Sequence, residues 1–267
     1  MKKLLGFVAV IVAFIIITYI GNTTIAVTQQ EIRLAELPQE LEGLRVVQVS
    51  DLHDAAFGEE QQDLIAKVAE QEPDLIFVTG DVVDSNRYNL EQSLQAVKGF
   101  VELAPVYYVT GNHEIATGKV DEIKSSLSQL GVTVLSNEVE TLSIEGQTIE
   151  VFGIDDPLNG TPIADALAKH PRTDLPRLTL SHRPEVFEEY VRSEQSLVFS
   201  GHAHGGQIRI PGLGGLIAPG QGFFPKYTAG VYEEGETQMV VSRGLGNSLF
   251  PVRIFNRPEV VTVILSP

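Results

Sequence analysis

The sequence predicts a layered α/β domain preceded by a membrane-spanning helix, and three observations carry that prediction. Five apolar runs of strand length, at 44–49, 75–78, 106–109, 178–180 and 197–199, each end in a cluster of small or polar residues. Among the first three, apolar positions recur with helical spacing: Leu64, Ile65, Val68 and Ala69 share one face, Leu94, Val97 and Val101 a second, and Ile123, Leu127 and Leu130 a third. Strand, loop and helix in alternation give a sheet covered by helices. The third observation is residues 4–30, which carry no charge at all.

The N-terminal run comes first along the chain. Lys2 and Lys3 precede an apolar heart at 4–20, whose 17 residues extend about 25 Å as a helix, enough to cross a thin bilayer. A secretory h-region is shorter, about 7–15 residues, and no A-x-A site follows. An uncleaved anchor is therefore expected, with a cleaved signal as the alternative. A core helix would show a polar face, and this run is apolar all round. The lysines lie on its N-terminal side, which places the rest of the chain outside the cytoplasm. The expected division is 1–28, anchor and juxtamembrane segment, and 29–267, one domain without fixed-period repeats. In its tail, 228–232, 238–242 and 260–265 have strand character with no helices between them, as in a sheet completed by hairpins.

Composition narrows the function. The 267 residues include 35 Asp+Glu against 19 Lys+Arg, a net charge of −16 that argues against a nucleic-acid binder. An anionic substrate stays possible in principle, because bound cations would dominate the local field. The chain has no Cys, which excludes a disulfide framework, a Cys-ligated zinc site, an iron–sulfur cluster and a Cys nucleophile.

Five of the six histidines fall directly after the apolar runs. In open α/β sheets, ligands bind beyond the carboxyl ends of strands. Asp51-Leu52-His53 puts two ligand types two residues apart, on one side of an extended segment. Gly80-Asp81-Val82-Val83-Asp84 supplies carboxylates after a sharp turn. Gly111-Asn112-His113-Glu114 supplies a neutral carbonyl and an imidazole. His182 follows the fourth run, and Gly201-His202-Ala203-His204 adds a pair of imidazoles. Taken singly, such an Asp is more often a helix cap and such an Asn-His a turn. All five in one domain point to a metal site of oxygen and imidazole donors, suited to Mn, Fe, Zn or Ni. Seven candidates, Asp51, His53, Asp81, Asn112, His182, His202 and His204, are too many for one tetrahedral ion and natural for two ions sharing a carboxylate. Two-metal sites of this kind clamp phosphoryl oxygens and activate water.

This ordered set resembles the calcineurin-like metallophosphoesterase superfamily. The N-terminal anchor, Ser50-Asp51-Leu52-His53, Ser181-His182-Arg183-Pro184 and Arg257-Pro258-Glu259 make it look like the membrane-associated bacterial phosphodiesterase branch, which is also similar to UDP-2,3-diacylglucosamine hydrolases. The resemblance implies a four-layer α/β/β/α sandwich and two divalent ions, Mn first among them. Asp51, His53, Asp81 and His204 would hold one ion, and Asp81, Asn112, His182 and His202 the other. His113 would not be a ligand but would protonate the leaving oxygen, with Asp84 orienting it. The chemistry implied is in-line attack on phosphorus by a hydroxide shared between the ions. The expected function is a membrane-anchored phosphodiesterase or pyrophosphatase acting on an envelope phosphoester, with lipid-linked phosphates among the candidate substrates. One alternative is a UDP-2,3-diacylglucosamine-type lipid pyrophosphatase at the cytoplasmic face; a catalytically silent metal-binding scaffold is another.

Several polar residues carry less. His170 is expected at a helix end. Asp155 and Asp156 are expected as turn residues before Pro157, and Arg183 and Arg253 as ion-pair partners. The glycine-rich stretch 211–226 bears Leu213, Leu216, Ile217, Phe223 and Phe224. These either pack beneath their own loop or receive an acyl or prenyl chain.

Overall fold

The computed structural model describes residues 2–247 and 251–267. The uncharged run forms one helix, α1 (Lys2–Thr23), almost nowhere covered by the rest of the chain. Its 22 residues make it long and apolar enough to cross a bilayer, at about 33 Å. β1 (Ala26–Arg33) follows after two residues, so the boundary expected between residues 28 and 29 falls inside a strand.

The first half continues as β2 (Arg45–Val49), α2 (Gln62–Ala69), β3 (Leu75–Thr79), α3 (Leu90–Val101), β4 (Val106–Val109), the short α4 (Asn112–Ala116), α5 (Val120–Gln129) and β5 (Thr133–Val134). The second half runs β6 (Glu138–Ile144), β7 (Gln147–Ile154), α6 (Ile163–Lys169), β8 (Arg177–Ser181), α7 (Phe187–Arg192) and β9 (Leu197–Ser200). Two small hairpins follow, β10 (Arg209–Ile210) with β11 (Gly214–Gly215) and β12 (Ile217–Ala218) with β13 (Gly222–Phe223). The chain closes with β14 (Gly230–Glu234), β15 (Thr237–Val241) and β16 (Glu259–Ser266).

These strands make two six-stranded sheets, β1-β16-β2-β3-β4-β5 and β14-β15-β9-β8-β7-β6. β2 to β5 run parallel in the first, and β7, β8, β9 and β15 run parallel in the second. β14 and β15 form the hairpin expected of the tail. β16 departs from that expectation: it enters the other sheet, parallel to β1 and antiparallel to β2. The reason is burial, because Val260, Val261, Val263 and Leu265 are all buried and only an interior position covers both faces of such a strand.

The layers follow from alternation along each strand. Val46, Phe77 and Val109 point toward the second sheet and meet Val151, Leu180, Phe199 and Val240, with Phe77 edge-on to Phe199. Their neighbours Val47, Val78 and Tyr108 point outward onto Leu64, Val97, Phe100 and Ile123 of α2, α3 and α5. Phe152, Val198 and Met239 face α6 and α7 through Leu167, Phe187 and Tyr190. The result is the α/β/β/α sandwich. At its upper rim the buried Gln48 donates to Thr79 Oγ1 and to the Ser200 carbonyl, each at 2.9 Å, clasping the two sheets under the strand ends. The carboxyl ends of β2, β3, β4, β8 and β9 therefore open onto one edge of the sandwich, and each carries one of the polar clusters.

Candidate metal centre

The loop after β2 is tied to the loop after β3: the Asp51 and His53 amides donate to the Gly80 and Asp81 carbonyls, both at 3.0 Å. Five of the seven candidate ligands have left-handed backbones, Asp51 (φ 51°), His53 (φ 49°), Asp81 (φ 52°), His202 (φ 65°) and His204 (φ 46°). Asp51 and His53 thus share a side for a different reason from the one the sequence suggested, since their segment is curled and not extended. Each such residue costs of order 1–3 kcal/mol, a strain that concentrates at functional sites.

Two buried clusters result. Donor atoms of Asp51, His53, Asp81 and His204 lie within 4.8 Å of one another, and Asp81, His182 and His202 form a second group by the same measure. Asp81 belongs to both. Its Oδ2 is 3.2 Å from His182 Nε2 and 3.6 Å from His53 Nε2. Its Oδ1 accepts from the His113 amide at 2.8 Å. His53 Nε2 and His204 Nε2 face each other at 3.1 Å, and His182 Nε2 and His202 Nδ1 at 3.2 Å. Asn112 opens α4, one residue before the His113 amide that bonds Asp81, and its Oδ1 is buried with no hydrogen-bond partner among the described residues. An orphaned buried acceptor costs about 1–3 kcal/mol unless something satisfies it. With carboxylate and imidazole donors converging beside it, the set fits divalent cations.

Electrostatics support the same fit. Burial pushes the His53 and His202 imidazoles well below their ordinary value and lowers His204, so all three offer lone pairs at neutral pH. His182 differs: burial opposes its charge, but Asp81 overrides that and raises it to about 10. His182 also donates through Nδ1 to the Thr79 carbonyl at 2.8 Å, which leaves Nε2 facing Asp81. A cation there would replace the proton that Asp81 now holds on the ring.

His113 is in neither of these two clusters but forms a third group with Asp84 and His53, edge-on to the His53 ring at 4.5 Å between centroids. The Ser85 amide donates to its Nδ1 at 3.0 Å, which leaves the proton of the neutral ring on Nε2. Asp84 lies farther off, 3.7 Å from Nδ1. Its carboxylate is instead gripped by Arg87 Nε at 2.9 Å and by Arg87 Nη2. Asp84 Oδ1 also accepts from the Asn86 amide at 2.8 Å, so this carboxylate is bonded within the loop that presents the Ser85 amide.

Sequence reasoning missed Glu114. It is fully buried and accepts from the amides of Asp81 (2.9 Å), Gly111 (2.7 Å) and Val83 (3.2 Å), binding the loops after β3 and β4 together. Burial, with Asp81 nearby, raises its carboxyl to about 7. The legible signal was its spacing from Gly111, that of a capping box at a helix start. Asp156 is the turn residue expected, its Oδ1 accepting from the Leu158 amide at 3.0 Å at the head of the turn 157–159, and both it and Asp155 are also buried partners of cations. Asp155 takes Lys124 at 2.8 Å and Thr110 Oγ1 at 2.8 Å. Asp156 holds Arg183 through two hydrogen bonds, and Arg183 Nη1 lies 3.0 Å from His202 Nε2. Arg253 is wholly buried, donating to the Arg243 and Gly246 carbonyls, with Nη2 3.4 Å from His204 Nδ1. Both arginines thus back the two imidazoles of the loop after β9. His170 caps the end of α6, as its position suggested.

A cavity of about 220 Å³ beside the site is lined by His53, Asp54, Arg87, Asn89, Gly246 and Asn247, and also by Asn22 of α1. A larger cleft of about 740 Å³ lies among Glu31, Arg33, Glu36, Arg172 and Glu236 and includes none of the candidate ligands. Chemistry follows the ligands and not the volume.

The sequence profile of the calcineurin-like phosphoesterase family matches residues 44–206, which span every candidate ligand. The chain belongs to this family. It is a metal-dependent phosphoester hydrolase of the calcineurin-like family, built on that family's fold, and its clustered Asp and His residues are a divalent-metal site. An uncharacterized metallophosphoesterase of Bacillus subtilis, YkuE, is 32% identical over 92% of this chain and 87% of its own length. Phosphodiesterase YaeI of Escherichia coli is 32% identical over 87% and 86%. A zebrafish transmembrane protein with metallophosphoesterase domain is 31% identical over 90% of this chain and 57% of its own.

Proposed function

We propose that the protein is a membrane-anchored, binuclear phosphodiesterase or pyrophosphatase of the cell envelope. The observation that carries this reading is the position of Asp81, one carboxylate shared by two buried ligand clusters. Asp51, His53, Asp81 and His204 would hold one ion, and Asp81, Asn112, His182 and His202 the other. Two divalent ions, Mn²⁺ first among them, supply Lewis-acid polarisation of phosphoryl oxygens and a water nucleophile at neutral pH. The chain's own residues do the rest. His113 presents Nε2–H as a hydrogen-bond donor to the leaving oxygen, where it stabilises developing negative charge, a contribution of about 10²–10³-fold. The Ser85 amide holds that ring in register, and Arg87 and Asp84 hold the Ser85 loop. Arg183, steered by Asp156, adds a positive charge beside His202.

The anchor reading rests on α1, whose apolar length suits a single membrane pass, on Lys2 and Lys3 before it, and on the relative whose name records a transmembrane protein. It places the catalytic domain outside the cytoplasm. All the ligands and His113 are present, which favours an enzyme over a silent scaffold.

The test is hydrolysis of an aryl phosphodiester by the full chain in detergent, stripped of metal and reloaded with Mn²⁺, beside His113→Ala. Turnover that needs metal, with two ions bound per chain and loss in the variant, is the expected result. Turnover that survives metal removal would overturn the reading. A reporter fused at the C-terminus reads sidedness; a cytoplasmic signal would favour the UDP-2,3-diacylglucosamine-type activity.

A further inference from the structure

Outside α1, seven large apolar side chains are exposed among the described residues, and six of them lie in one region: Ile210, Leu213, Ile217, Phe223, Phe224 and Phe255. Leu213 and Phe223 are 73% and 72% exposed, so they do not pack beneath their own loop. Five of the six ride on the two hairpins after the metal-site histidines. One turns at Pro211-Gly212 and carries Leu213 at its tip; the other turns at Pro219-Gly220 and pairs Ile217 with Phe223 across its strands.

The base of these hairpins is bonded to the segment that receives the end of α1. Ile208 bridges Ile254, and the Arg209 amide donates to the Ile254 carbonyl at 3.0 Å. In the same segment the Arg253 amide donates to Asn22 Oδ1 of α1 at 3.3 Å, and Asn247 Nδ2 donates to that oxygen at 2.6 Å. Arg257 then donates to the Thr24 and Ile25 carbonyls, each at 3.0 Å. Phe255 sits within this belt, 59% exposed.

Charge sorts the same way. Although the chain carries 35 acidic residues, none lies in 1–30, 195–232 or 237–258, the segments joined here. Those segments carry Lys2, Lys3, Arg209, Lys226, Arg243, Arg253 and Arg257. Glu185 and Glu259 reach these segments from elsewhere, and both are paired: Glu185, against Gly220, faces Arg183 at 3.4 Å, and Glu259 holds Arg243 at 2.7 Å. Exposed aromatic side chains beside a Lys, on segments that carry no acid of their own, suit the headgroup layer of a bilayer.

We infer that the two hairpins and Phe255 form a membrane-surface anchor, seated in the bilayer that α1 enters, which holds the mouth of the metal centre against the lipid so that the substrate is an amphiphilic phosphoester drawn from the membrane plane. This rests on reading α1 as a membrane anchor and the centre as a phosphoester hydrolase. The occupant is lipid and not a protein, because the helix that fixes the orientation of this face is itself the apolar one.

The absence of Cys makes the test direct. Single variants Leu213→Cys, Phe223→Cys and Phe255→Cys of the full chain carry an environment-sensitive fluorophore in phosphatidylcholine/phosphatidylglycerol vesicles containing one lipid with a quencher near its headgroup and one with a quencher deep in its acyl chain. Ile11→Cys reports on α1, and Leu158→Cys, exposed but outside the belt, is the control. Quenching at 213, 223 and 255 but not at 158 is expected. Quenching at 11 alone overturns the surface and leaves the anchor reading intact; none at 11 fails both. Labels that are shielded from water yet unquenched indicate contact between copies and also overturn it. In a second measurement, the Phe223→Ser/Phe224→Ser double variant should lose about tenfold or more in turnover of a vesicle-embedded phosphodiester, the partition effect of one Phe side chain. It should turn over a water-soluble phosphodiester like the wild type. Equal loss on both substrates overturns the proposal. Quenching needs no turnover, so a failure of the hydrolase reading is seen separately.

Discussion

The sharpest division of labour lies between two histidines. His182 faces Asp81 in the buried cluster, whereas His113 stands outside with its Nδ1 held by the Ser85 amide. His113→Ala should therefore lower kcat by about 10²–10³-fold, the loss of one hydrogen-bond donor to the leaving oxygen, with metal content unchanged. His182→Ala should reduce bound metal toward one ion per chain; elemental analysis beside kinetics separates the two. The same residues set a pH dependence. His182 is raised from 6.5 to about 10, so without metal its contribution to stability is full below about pH 6.5 and is lost as pH rises through about 10. Glu114 is raised from 4.5 to about 7, so the folded state holds its proton more tightly and stability falls between those values as pH rises. Both trends have the same sign. Below about pH 6.5 the lowered His53, His202 and His204 oppose Glu114, since unfolding lets them take up protons; metal-stripped protein should therefore lose Tm above about pH 6.5, as the His182 contribution is lost. Loaded protein should move oppositely above pH 6.5, because the ions displace the His182 proton. A Tm gap between loaded and stripped protein that narrows with rising pH would contradict this assignment.

At the scale of elements, the site is a set of loops pressed together, and its tolerance is set by backbone contacts. A Cβ on Gly201 would strike Ser50 Oγ and Asp51 Oδ2. Gly201→Ala should force the loop after β9 off the loop after β2, costing about 1–3 kcal/mol and weakening metal binding, with far-UV CD unchanged. Glu114→Gln puts an amide NH₂ against backbone N–H groups, and each donor it orphans costs about 1–3 kcal/mol. Thermal unfolding should show a drop of that order, together with weaker metal binding. The strands that frame these loops were legible because both faces of β3, β8 and β9 are buried, which demands continuous apolar runs. β1 and β6 were not legible, since both are edge strands whose open faces carry Gln29, Gln30, Glu138 and Glu140 and dilute the apolar signal. The two-residue strands β10 to β13 are too short to show any period. Ligand identities were legible from residue type at strand ends. Their left-handed backbones were not, because only the surrounding loops enforce that strain, and Asp156 with Arg183 is a pairing across 27 positions that no local pattern announces.

On the scale of the whole molecule, the two ends of the chain are joined through one strand. β16 lies between β1 and β2, pairing with β1 in register from Ala26 with Glu259 to Arg33 with Ser266. β1 follows directly from α1, so the strand that tethers the helix to the sheet is held in place by the last residues of the chain. This explains why the tail could not stay in a terminal hairpin: β1 is polar along its open edge and needs a buried neighbour to fix it. Val260, Val261, Val263 and Leu265 are buried in β16. At about 1.5–3 kcal/mol each they contribute about 6–12 kcal/mol, comparable with the whole stability of a domain, about 5–15 kcal/mol. A chain ending at Pro258 should therefore fail to fold, giving rapid proteolysis and no cooperative unfolding transition even with metal present. Replacing only Ser266 and Pro267, both partly exposed, should leave Tm within a few degrees of wild type. Should the chain ending at Pro258 keep its transition and its metal, the first sheet would have to close without β16, and the coupling between α1 and the core would run through the contacts of Asn22 with Arg253 and Asn247 and of Arg257 with Thr24 and Ile25.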